Sequence, residues 1–441
     1  MSLTSESIVE TLIASGMDPG ERRDKHALYA SVLAAGIPAQ FAWWVPGRLE
    51  VLGKHTDYAG GRTLVAAVPR GFAVAASPRP DGIVRVLDAK RGEGLIVRPS
   101  DPSGAQGGWR RYADVTVRRM WRNFPGLDTG ADIVMASDLP SACGMSSSSA
   151  LIIAVAVALG RVAGIQRHPA WAANIRTGLD AAAYYACIEN GRTFAALGGD
   201  GGVGTQGGSE DHTAIIEGRP GTVSAFAFVP PRVIGSARVP ESWRFVIAPS
   251  GITARKTGEA RLPYNRLSAG VSRLLDAWND RSTPAASLAA ALASSPDALE
   301  RLRDLCTMAA TDEAPAEWLR ERLDHFVRED ARIPRALTAF SAADAPAIGA
   351  LAADSQHDAE TLLRNQVPET VALAAEARRL GAIAACSFGA GFGGAVWAIA
   401  PTEEAEAFAQ RWHRAAFVMM PGPAVLELPS QRPNNSATEC V

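Results

Sequence analysis

The first 40 residues place apolar side chains at helical spacing. Ile8, Leu12 and Ile13 form one set, and a second set follows the turn signal Asp18-Pro19-Gly20, namely Leu28, Tyr29, Val32 and Leu33. Residues three and four apart lie on one face of a helix, so both sets predict helices that pack by one side. Residues 1–40 are therefore predicted to be an N-terminal helical extension.

The pattern changes at about residue 41 to short apolar runs bounded by Pro, Gly and Asp, which are typical of β-strands. The clearest runs are Phe72–Ala76, Ile83–Leu87 and Leu95–Val97. The region from 41 to 100 is accordingly predicted to be β-rich, and a helix after Trp109 and a strand at 132–135 follow it.

A strongly apolar helix is predicted over 148–163, and an Ala-rich helical region over 170–196. A glycine-dense loop comes next, and the apolar, β-branched run Thr213–Ile216 predicts a strand. The segment from Gly218 to Pro231 contains several Pro and Gly residues and is the favoured domain junction.

The second half of the chain is predicted to be mostly helical, over 256–280, 284–311, 315–327, 334–354 and 357–380. Strand-like runs at Ala382–Cys386 and Ala395–Ile399 flank a glycine loop. This mixture predicts an α+β fold. Two domains are expected, over 41–220 and 221–429, with a flexible tail over 430–441.

Size and composition narrow the classes of function. A chain of 441 residues exceeds the usual size of one compact domain, which favours two domains that share a cleft. The formal net charge is −2 and no long Lys/Arg block occurs, which argues against a nucleic-acid partner. The N-terminus is acidic where a signal peptide is basic, and the stretch Ala150–Leu159 is too short to span a membrane. Five widely spaced cysteines without CxxC spacing fit a reducing cytoplasm.

Candidate chemistry begins in the small-residue loop from Leu139 to Ala150, LPSACGMSSSSA, which runs directly into the apolar helix. Glycine lets backbone N–H groups approach an anion, and the helix N-terminus carries partial positive charge. Serine hydroxyls can contact phosphate or Mg²⁺, so the loop is a candidate phosphate site. A serine-rich linker before an N-capped helix has the same composition and stays open as an alternative.

A second segment, Pro46 to Gly61 (PGRLEVLGKHTDYAGG), concentrates Arg, Lys, His and Asp among strand and turn residues. A polyhydroxylated ligand needs such a mixture, because each hydroxyl both donates and accepts. The segment is not a Walker A loop, since Gly47 and Lys54 are one residue too far apart and His55 replaces the required Ser or Thr. A solvated, charged turn is the alternative.

A third segment places Glu210, Asp211 and His212 after a glycine-rich loop. A carboxylate beside a hydroxyl nucleophile can orient it and accept its proton during phosphoryl transfer, and a nearby Arg keeps that carboxylate ionised. Metal ligands or turn residues are the alternatives, although neighbouring residues of a strand point to opposite faces and all three would not reach one metal ion. A fourth segment, Ser387 to Val396, is a glycine-rich turn that a plain hairpin also explains.

Taken in chain order, these segments resemble the three motifs of the GHMP kinases in their galactokinase form. Gly47 to Gly61 resembles the sugar signature, Pro140 to Ala150 the phosphate loop, and Gly389 to Gly394 the third motif. The segment Ala186 to Asn190 is similar to the family helix that carries a magnesium-binding glutamate. The resemblance implies a two-domain fold with the active site in the cleft. It also implies ATP- and Mg²⁺-dependent transfer of the γ-phosphoryl group to a monosaccharide hydroxyl, the anomeric 1-OH.

The resemblance further implies a role for each matching residue. Asp211 matches the catalytic base, and Arg48 the basic residue beside it. The implied ATP-binding residues are Gly144, Met145, Ser146, Ser147 and Ser148, and the implied Mg²⁺ contacts are Ser147 or Ser148 with Glu189. The implied sugar-binding residues are Lys54, His55, Asp57, Gly208 and Tyr264, with a packing role as the alternative for Tyr264.

Two departures from the galactokinase pattern bear on the substrate. Lys54 stands where galactokinases carry a sugar-contacting Glu, and a cation there favours an anionic group such as a uronate carboxylate, unless Lys54 turns outward or pairs with Glu50 or Asp57. Glu210 and His212 also depart from the pattern, so the pocket floor is expected to differ. A neutral-sugar kinase, a uronate kinase and a non-catalytic sugar- and ATP-binding regulator stay open.

Overall fold

The structure is a computed structural model that describes residues 3–98, 100–101, 107–140, 143–253 and 261–428. The tail predicted over 430–441 lies outside the described residues.

The helices of the described residues are α1 (Ser5–Ala14), α2 (Arg22–Leu33), α3 (Gly108–Asn123), α4 (Ser147–Ala163), α5 (Pro169–Asn174), α6 (Gly178–Asn190), α7 (Glu210–Glu217), α8 (Arg261–Asn279), α9 (Leu288–Leu292), α10 (Ala298–Met308), α11 (Ala316–Ser341), α12 (Ala345–Asp358), α13 (Pro368–Arg379) and α14 (Ala405–Trp412).

The strands are β1 (Phe41–Leu52), β2 (Arg62–Arg79), β3 (Val84–Asp88), β4 (Glu93–Val97), β5 (Gly130–Ser137), β6 (Thr222–Ala227), β7 (Arg232–Arg238), β8 (Trp243–Pro249), β9 (Ala384–Phe388), β10 (Ala395–Pro401), β11 (Phe417–Met419) and β12 (Leu426–Leu428). Helices and two separate sheets confirm the predicted α+β fold.

The larger sheet has the order β12-β1-β2-β5-β3-β4, and β6 pairs with the first residues of β2 and with β7. All of its pairings are antiparallel except that of β3 with β5. The smaller sheet has the order β11-β8-β10-β9. Strand β12 comes from the far end of the chain and pairs with β1, so both halves of the sequence contribute to the larger sheet.

Strand β1 is buried on both faces, which explains its long apolar run. Trp43 and Val45 face the cluster around α4, whereas Ala42 and Trp44 face the cluster of α1 and α2. Successive strand residues point to opposite faces, so each face of β1 needs its own apolar cover. The predicted helical extension is therefore one of the two layers that cover the larger sheet.

The far end of β1 joins the two sheets. Leu49 and Val51 pack in one cluster with Phe245 and Trp397 of the smaller sheet. The Trp397 indole N–H also donates to the backbone oxygen of Val51, at 3.1 Å. The sugar signature thus lies where the two sheets meet, which agrees with the cleft location expected from the sequence.

One predicted strand is wrong. Thr213–Ile216 belongs to helix α7, whose first turn carries Glu210 and Asp211. Negative side chains stabilise a helix N-terminus, and Ala214 and Ile215 are fully buried against neighbouring elements. Burial and the acidic first turn therefore outweigh the local strand preference of the β-branched residues.

The helices predicted at 315–327 and 334–354 also need correction. One helix, α11, runs through Pro334 to Ser341, and α12 begins at Ala345. Proline removes a helical hydrogen bond, so the sequence predicted a break before Pro334. The observed helix continues through this residue. Strands β6 and β7 lie at and beyond the predicted junction and pair within the larger sheet, and the division into 41–220 and 221–429 stays a prediction.

Within the described ranges no helix is both long enough and apolar enough to cross a membrane.

Helix α4 offers a test of the core. Ile152 is fully buried in the cluster between α4 and the larger sheet, whereas Val157 on the same helix is only partly buried. Ile152→Ala should lower the free energy of unfolding by about 2–5 kcal/mol through lost burial and a residual cavity. Chemical denaturation should show a clearly smaller loss for the control Val157→Ala. Equal losses for the two variants would contradict this packing.

Candidate active site

Arg48 and Asp211 form an ion pair between strand β1 and helix α7, in which Arg48 is fully buried and Asp211 is half-buried. The Arg48 Nε donates to Asp211 Oδ1 at 2.7 Å, and Arg48 Nη2 lies 2.6 Å from the same oxygen. A third guanidinium nitrogen, Nη1, donates to the backbone oxygen of Gly144 in the predicted phosphate loop. One arginine therefore links the sugar signature, the predicted base and the phosphate loop.

The pKa of Arg48 and the pKa values of the carboxyl groups around it depend on one another. Burial by itself lowers the pKa of Arg48, but Asp211, Glu210 and Glu50 raise it, and the net shift is upward. Burial raises the pKa of Glu50, partly opposed by Arg48 and Lys54. Burial followed by the Glu50 charge raises the pKa of Glu210 well above its usual value. The guanidinium therefore stays charged, whereas the pKa values of Glu50 and Glu210 are shifted upward.

Ser149 connects the predicted base with the predicted metal ligand. Its hydroxyl lies 2.9 Å from Glu189 Oε2 and 3.3 Å from Asp211 Oδ2, and its one hydrogen can be donated to either carboxylate. The ring nitrogen Nε2 of His212 lies 3.5 Å from the same oxygen of Glu189. Helices α4, α6 and α7 thus converge on one carboxylate-rich point.

These groups open into a cavity of about 510 Å³, a volume that includes its mouth. Seven of the residues assigned from the sequence line it, namely Arg48, His55, Asp57, Glu189, Gly208, Asp211 and Tyr264. Its lining of carboxylates, an arginine and histidines suits a small polar ligand. The predicted catalytic and sugar-binding residues are thus brought together around one cavity, with the exception of Lys54.

Asp57 and Gly208 fit together at the wall of this cavity. The Asp57 Oδ2 accepts from the backbone N–H of Glu210 at 3.1 Å, which caps the start of α7. A Cβ atom at residue 208 would lie 2.3 Å from the same oxygen. Gly208 is therefore required for the close approach of Asp57 rather than for a contact of its own.

His55 joins the sugar signature to the third motif. Its Nε2 lies 3.1 Å from the backbone oxygen of Ala390, and its Nδ1 lies 3.0 Å from the Tyr58 hydroxyl. The ring of Tyr264 packs against it with ring centroids 5.3 Å apart. His55 and Tyr264 therefore form one edge of the cavity. Tyr264 both packs against His55 and lines the cavity.

A larger groove of about 2560 Å³ lies next to this cavity, and Ala390 lines both. Its walls include the five residues assigned to ATP, Gly144, Met145, Ser146, Ser147 and Ser148. Four basic residues that the sequence did not single out also line it, namely Lys90, Arg91, Arg111 and Arg261. Basic walls beside a helix N-terminus suit a polyphosphate.

The third motif supports the phosphate loop from behind. Gly144 and Gly389 both adopt positive φ angles, of +68° and +81°. A Cβ atom at Gly389 would lie 3.2 Å from the Gly144 oxygen, and one at Gly144 would lie 3.2 Å from the Phe388 oxygen. The two glycine loops therefore pack backbone to backbone. This contact requires glycine in the segment from Ser387 to Val396, which a plain hairpin turn would not.

Lys54 lines neither the cavity nor the groove. Its buried ammonium donates to Ser355 Oγ and to Cys386 Sγ, each at 3.0 Å. Ser355 in turn donates to Glu329 Oε1 at 2.9 Å, and that oxygen also accepts from the Gly53 backbone at 2.8 Å. Lys54 is thus held in the interior, away from the cavity. Its assignment as a sugar ligand is corrected, and the argument for a uronate substrate loses its basis.

The charges of this interior network sustain one another. Burial lowers the pKa of Lys54, but Cys386 and Glu329 raise it, with a net upward shift. Burial raises the pKa of Glu329, but Lys54 and Arg332 lower it, with a net downward shift. Both groups are therefore charged, and the Lys54 ammonium is linked to Glu329 through Ser355 rather than to Glu50 or Asp57, the pairing that the sequence left open as an alternative.

The sequence analysis did not assign Ser149, Glu50 or the basic residues of the groove. Ser149 lies within a run of serines, and only helical geometry distinguishes it from Ser147 and Ser148. Glu50 follows Arg48 by two residues on β1. Residues two apart on a strand point to the same face, so this spacing predicts that both side chains reach one face. The basic residues of the groove carry no motif, so no sequence signal pointed to them.

Three family models match this chain. The galactokinase galactose-binding signature matches residues 32–78, the GHMP kinases N terminal domain matches 111–191, and the GHMP kinases C terminal model matches 336–418. The galactokinase of Streptomyces coelicolor is 28% identical over 369 residues, covering 81% of this chain and 84% of that protein. The galactokinase of a Roseiflexus species is 28% identical over 413 residues, covering 90% and 93%.

Solved structures share the fold. The crystal structure of Lactococcus lactis galactokinase complexed with galactose has a TM-score of 0.71 at 21% identity, covering 91% of this chain and 98% of that one. Methanococcus jannaschii mevalonate kinase has a TM-score of 0.55 at 13% identity, covering 88% and 99%. The fold and the three matched segments define this chain as a member of the GHMP kinase superfamily. Within that superfamily it belongs to the galactokinase-like branch.

The interior position of Lys54 is testable. Lys54→Met should destabilise the fold by about 3–5 kcal/mol, because it removes one partner of a buried charge network, while leaving the KM for the sugar nearly unchanged. Adding Glu329→Gln should deepen the loss, because Glu329 Oε2 also accepts from Arg332 Nη1 at 2.7 Å and the buried arginine would lose this partner. Thermal unfolding and steady-state kinetics measure both effects. A raised KM for the sugar at unchanged stability would restore Lys54 to the sugar site.

Proposed function

We propose that this chain transfers the γ-phosphoryl group of ATP to a hydroxyl of a monosaccharide, the anomeric 1-OH, in the manner of a galactokinase. The observation that carries the proposal is the Arg48–Asp211 pair, which lines the cavity of the predicted sugar-binding residues while the same arginine contacts the predicted phosphate loop. Acceptor and donor sites therefore meet at one carboxylate.

Asp211 is the proposed base. Its Oδ1 accepts from Arg48, and its Oδ2 lies toward Ser149, so the carboxylate has a fixed orientation. A sugar hydroxyl beside it would be oriented for in-line attack and would pass its proton to Asp211. Arg48 stabilises the ionised carboxylate before the transfer and the negative charge that develops during it.

The groove is the proposed ATP site. The backbone from Gly144 to Ser148 and the N-terminus of α4 would hold the phosphates, with help from Lys90, Arg91 and other basic residues of the walls. In this arrangement the γ-phosphoryl group points toward the cavity that holds Asp211. The groove and the cavity share Ala390, which supports a short path between the two substrates.

Mg²⁺ is part of the proposal. The described residues include no cluster of three or more His, Cys, Asp or Glu side chains arranged for a metal ion. Mg²⁺ in kinases is held by one or two protein groups together with substrate phosphates. Glu189 lines the cavity and Ser147 and Ser148 line the adjoining groove, so Glu189 with one of these serines would hold the ion between the two sites. When bound, the ion would neutralise charge on the transferred phosphoryl group. ATP as co-substrate and the spaced cysteines suit the cytoplasm, which is the proposed location.

Asp211→Asn tests the proposed base. The substitution removes the proton acceptor at nearly constant volume, so kcat should fall by about 10²- to 10⁴-fold while nucleotide binding is retained. Glu217→Gln, on the same helix but outside the cavity, is the matched control and should keep its activity. Steady-state kinetics with galactose as the probe give the answer. Turnover near that of the wild type, with normal substrate affinity, would exclude this role for Asp211.

Ser147→Ala combined with Ser148→Ala tests the phosphate loop. These hydroxyls line the groove rather than the cavity, so the KM for Mg·ATP should rise by about tenfold or more while the KM for the sugar changes little. Varying each substrate at saturation of the other separates the two effects. If sugar affinity collapsed while ATP affinity stayed normal, the two sites would have been exchanged.

A further inference from the structure

The backbone oxygen of Ala390 is held from two directions by buried side chains. Ala390 belongs to the third motif and lines both the cavity and the groove. His55 Nε2 lies 3.1 Å from its oxygen, and Asn365 Nδ2 donates to the same oxygen at 3.2 Å. A backbone oxygen has two lone pairs, so these two side chains match its capacity as an acceptor. The peptide at the junction of the two sites is therefore tied to two distant parts of the chain.

The contacts of His55 show that its Nε2 carries a hydrogen. A carbonyl oxygen can only accept, so an Nε2 without hydrogen would place two acceptors 3.1 Å apart. The other ring nitrogen, Nδ1, lies 3.0 Å from the Tyr58 hydroxyl, which holds the second side of the ring. His55 thus donates to Ala390 whether the ring is neutral or charged.

The Asn365 amide is oriented by hydrogen bonds of its own. Gln366 Nε2 donates to Asn365 Oδ1 at 2.8 Å, and the Thr370 hydroxyl donates to Gln366 Oε1 at 2.9 Å. This series of bonds starts from a side chain on α13 and engages the amide oxygen of Asn365. The amide nitrogen is therefore directed to Ala390, and as a pure donor it suits that contact.

Asn365 also contacts the two residues that follow Ala390. The Phe392 backbone N–H donates to the Asn365 backbone oxygen at 2.5 Å. A Cβ atom at Gly391 would lie 2.3 Å from Asn365 Nδ2, so the loop passes directly against this side chain. Asn365 is itself fully buried and is not among the residues that line the cavity or the groove. Any effect of Asn365 on a reaction there must therefore pass through the loop.

The position of this loop bears on both proposed substrates. Gly389 packs against Gly144 of the predicted phosphate loop, and both Gly389 and Ala390 line the cavity. A shift of the loop would change the distance between an acceptor hydroxyl in the cavity and a phosphoryl donor in the groove. Misplacing reacting groups by about 1 Å can lower a rate by about 10²-fold.

We propose that Asn365 is a positioning residue for phosphoryl transfer, which acts with His55 by fixing the Ala390 carbonyl between the two substrate sites. The inference rests on the proposed kinase function and deepens it by naming how acceptor and donor are aligned. A merely structural Asn365 would affect the stability of the fold and leave the turnover of the folded protein unchanged. A positioning residue affects kcat more than the KM of either substrate.

Asn365→Ala tests the proposal. With galactose and ATP as the probes, its kcat should fall by about tenfold or more, while the KM values for both probes change by less than about threefold. Steady-state kinetics give these values, and thermal unfolding shows that the variant is folded at the assay temperature.

Asn123→Ala is the matched control. Asn123 is also buried, and its Nδ2 also donates to a backbone oxygen at 3.2 Å, that of Gly198 in another loop. It is not among the residues that line the cavity or the groove. Asn123→Ala should lose stability but keep the wild-type kcat. A folded Asn365→Ala with the wild-type kcat, or with no larger loss than the control, would overturn the proposal.

A second pair of variants decides the matter even where Asn365→Ala does not fold. A glutamine side chain can bring its amide nitrogen near the position of a histidine Nε2, whereas the shorter asparagine reaches only the position of Nδ1. His55→Gln should therefore keep a kcat about tenfold higher than that of His55→Asn. Equal kcat values for the two would overturn the proposal while the kinase function stands. If the wild type turned over neither galactose nor another sugar, the proposed function would fail first.

Discussion

The ion pair of Arg48 and Asp211 fixes the relative positions of three parts of this molecule. Arg48 is buried on strand β1, Asp211 belongs to the first turn of α7, and the backbone oxygen that Arg48 also contacts belongs to the predicted phosphate loop. Removing one member of a buried charge pair leaves the other uncompensated in a low-dielectric interior. The strand, the helix and the loop therefore hold one geometry, in which the proposed base lies beside the proposed site for the phosphoryl donor.

The turn that follows β1 separates two groups of charged side chains, one in the interior of the protein and one around the cavity. On the interior side Lys54 is neutralised through Ser355 and Glu329, a network that closes without any ligand. On the cavity side, among the described residues, carboxylates outnumber arginines. The division explains how a sequence segment with mixed charges produces a cavity that is predominantly an acceptor, and why a lysine in a sugar signature need not select an anionic sugar.

Much of the fold was predictable because its signals are local. The apolar helix predicted over 148–163 is α4, and the strand-like runs between 72 and 97 lie in β2, β3 and β4. The failures arose where packing outweighs local preference. Thr213–Ile216 is helical because its residues are buried behind an acidic helix start, and α11 continues through Pro334. A β-branched run or a proline describes only its immediate neighbours, whereas burial depends on distant elements.

The sequence by itself determined the motifs, their order and the chemistry each can perform, because glycine, serine and carboxylate spacing restricts what a loop can bind. Seven residues assigned from those motifs share one cavity, and the five assigned to ATP line the adjoining groove. Only the tertiary structure decided the direction of Lys54, whose hydrogen-bond partner Ser355 is 301 residues away along the chain. It likewise brought Glu50 and Glu210 to the cavity that Arg48 and Asp211 line. Side-chain direction depends on partners supplied by remote segments, and a motif read along the chain does not contain them.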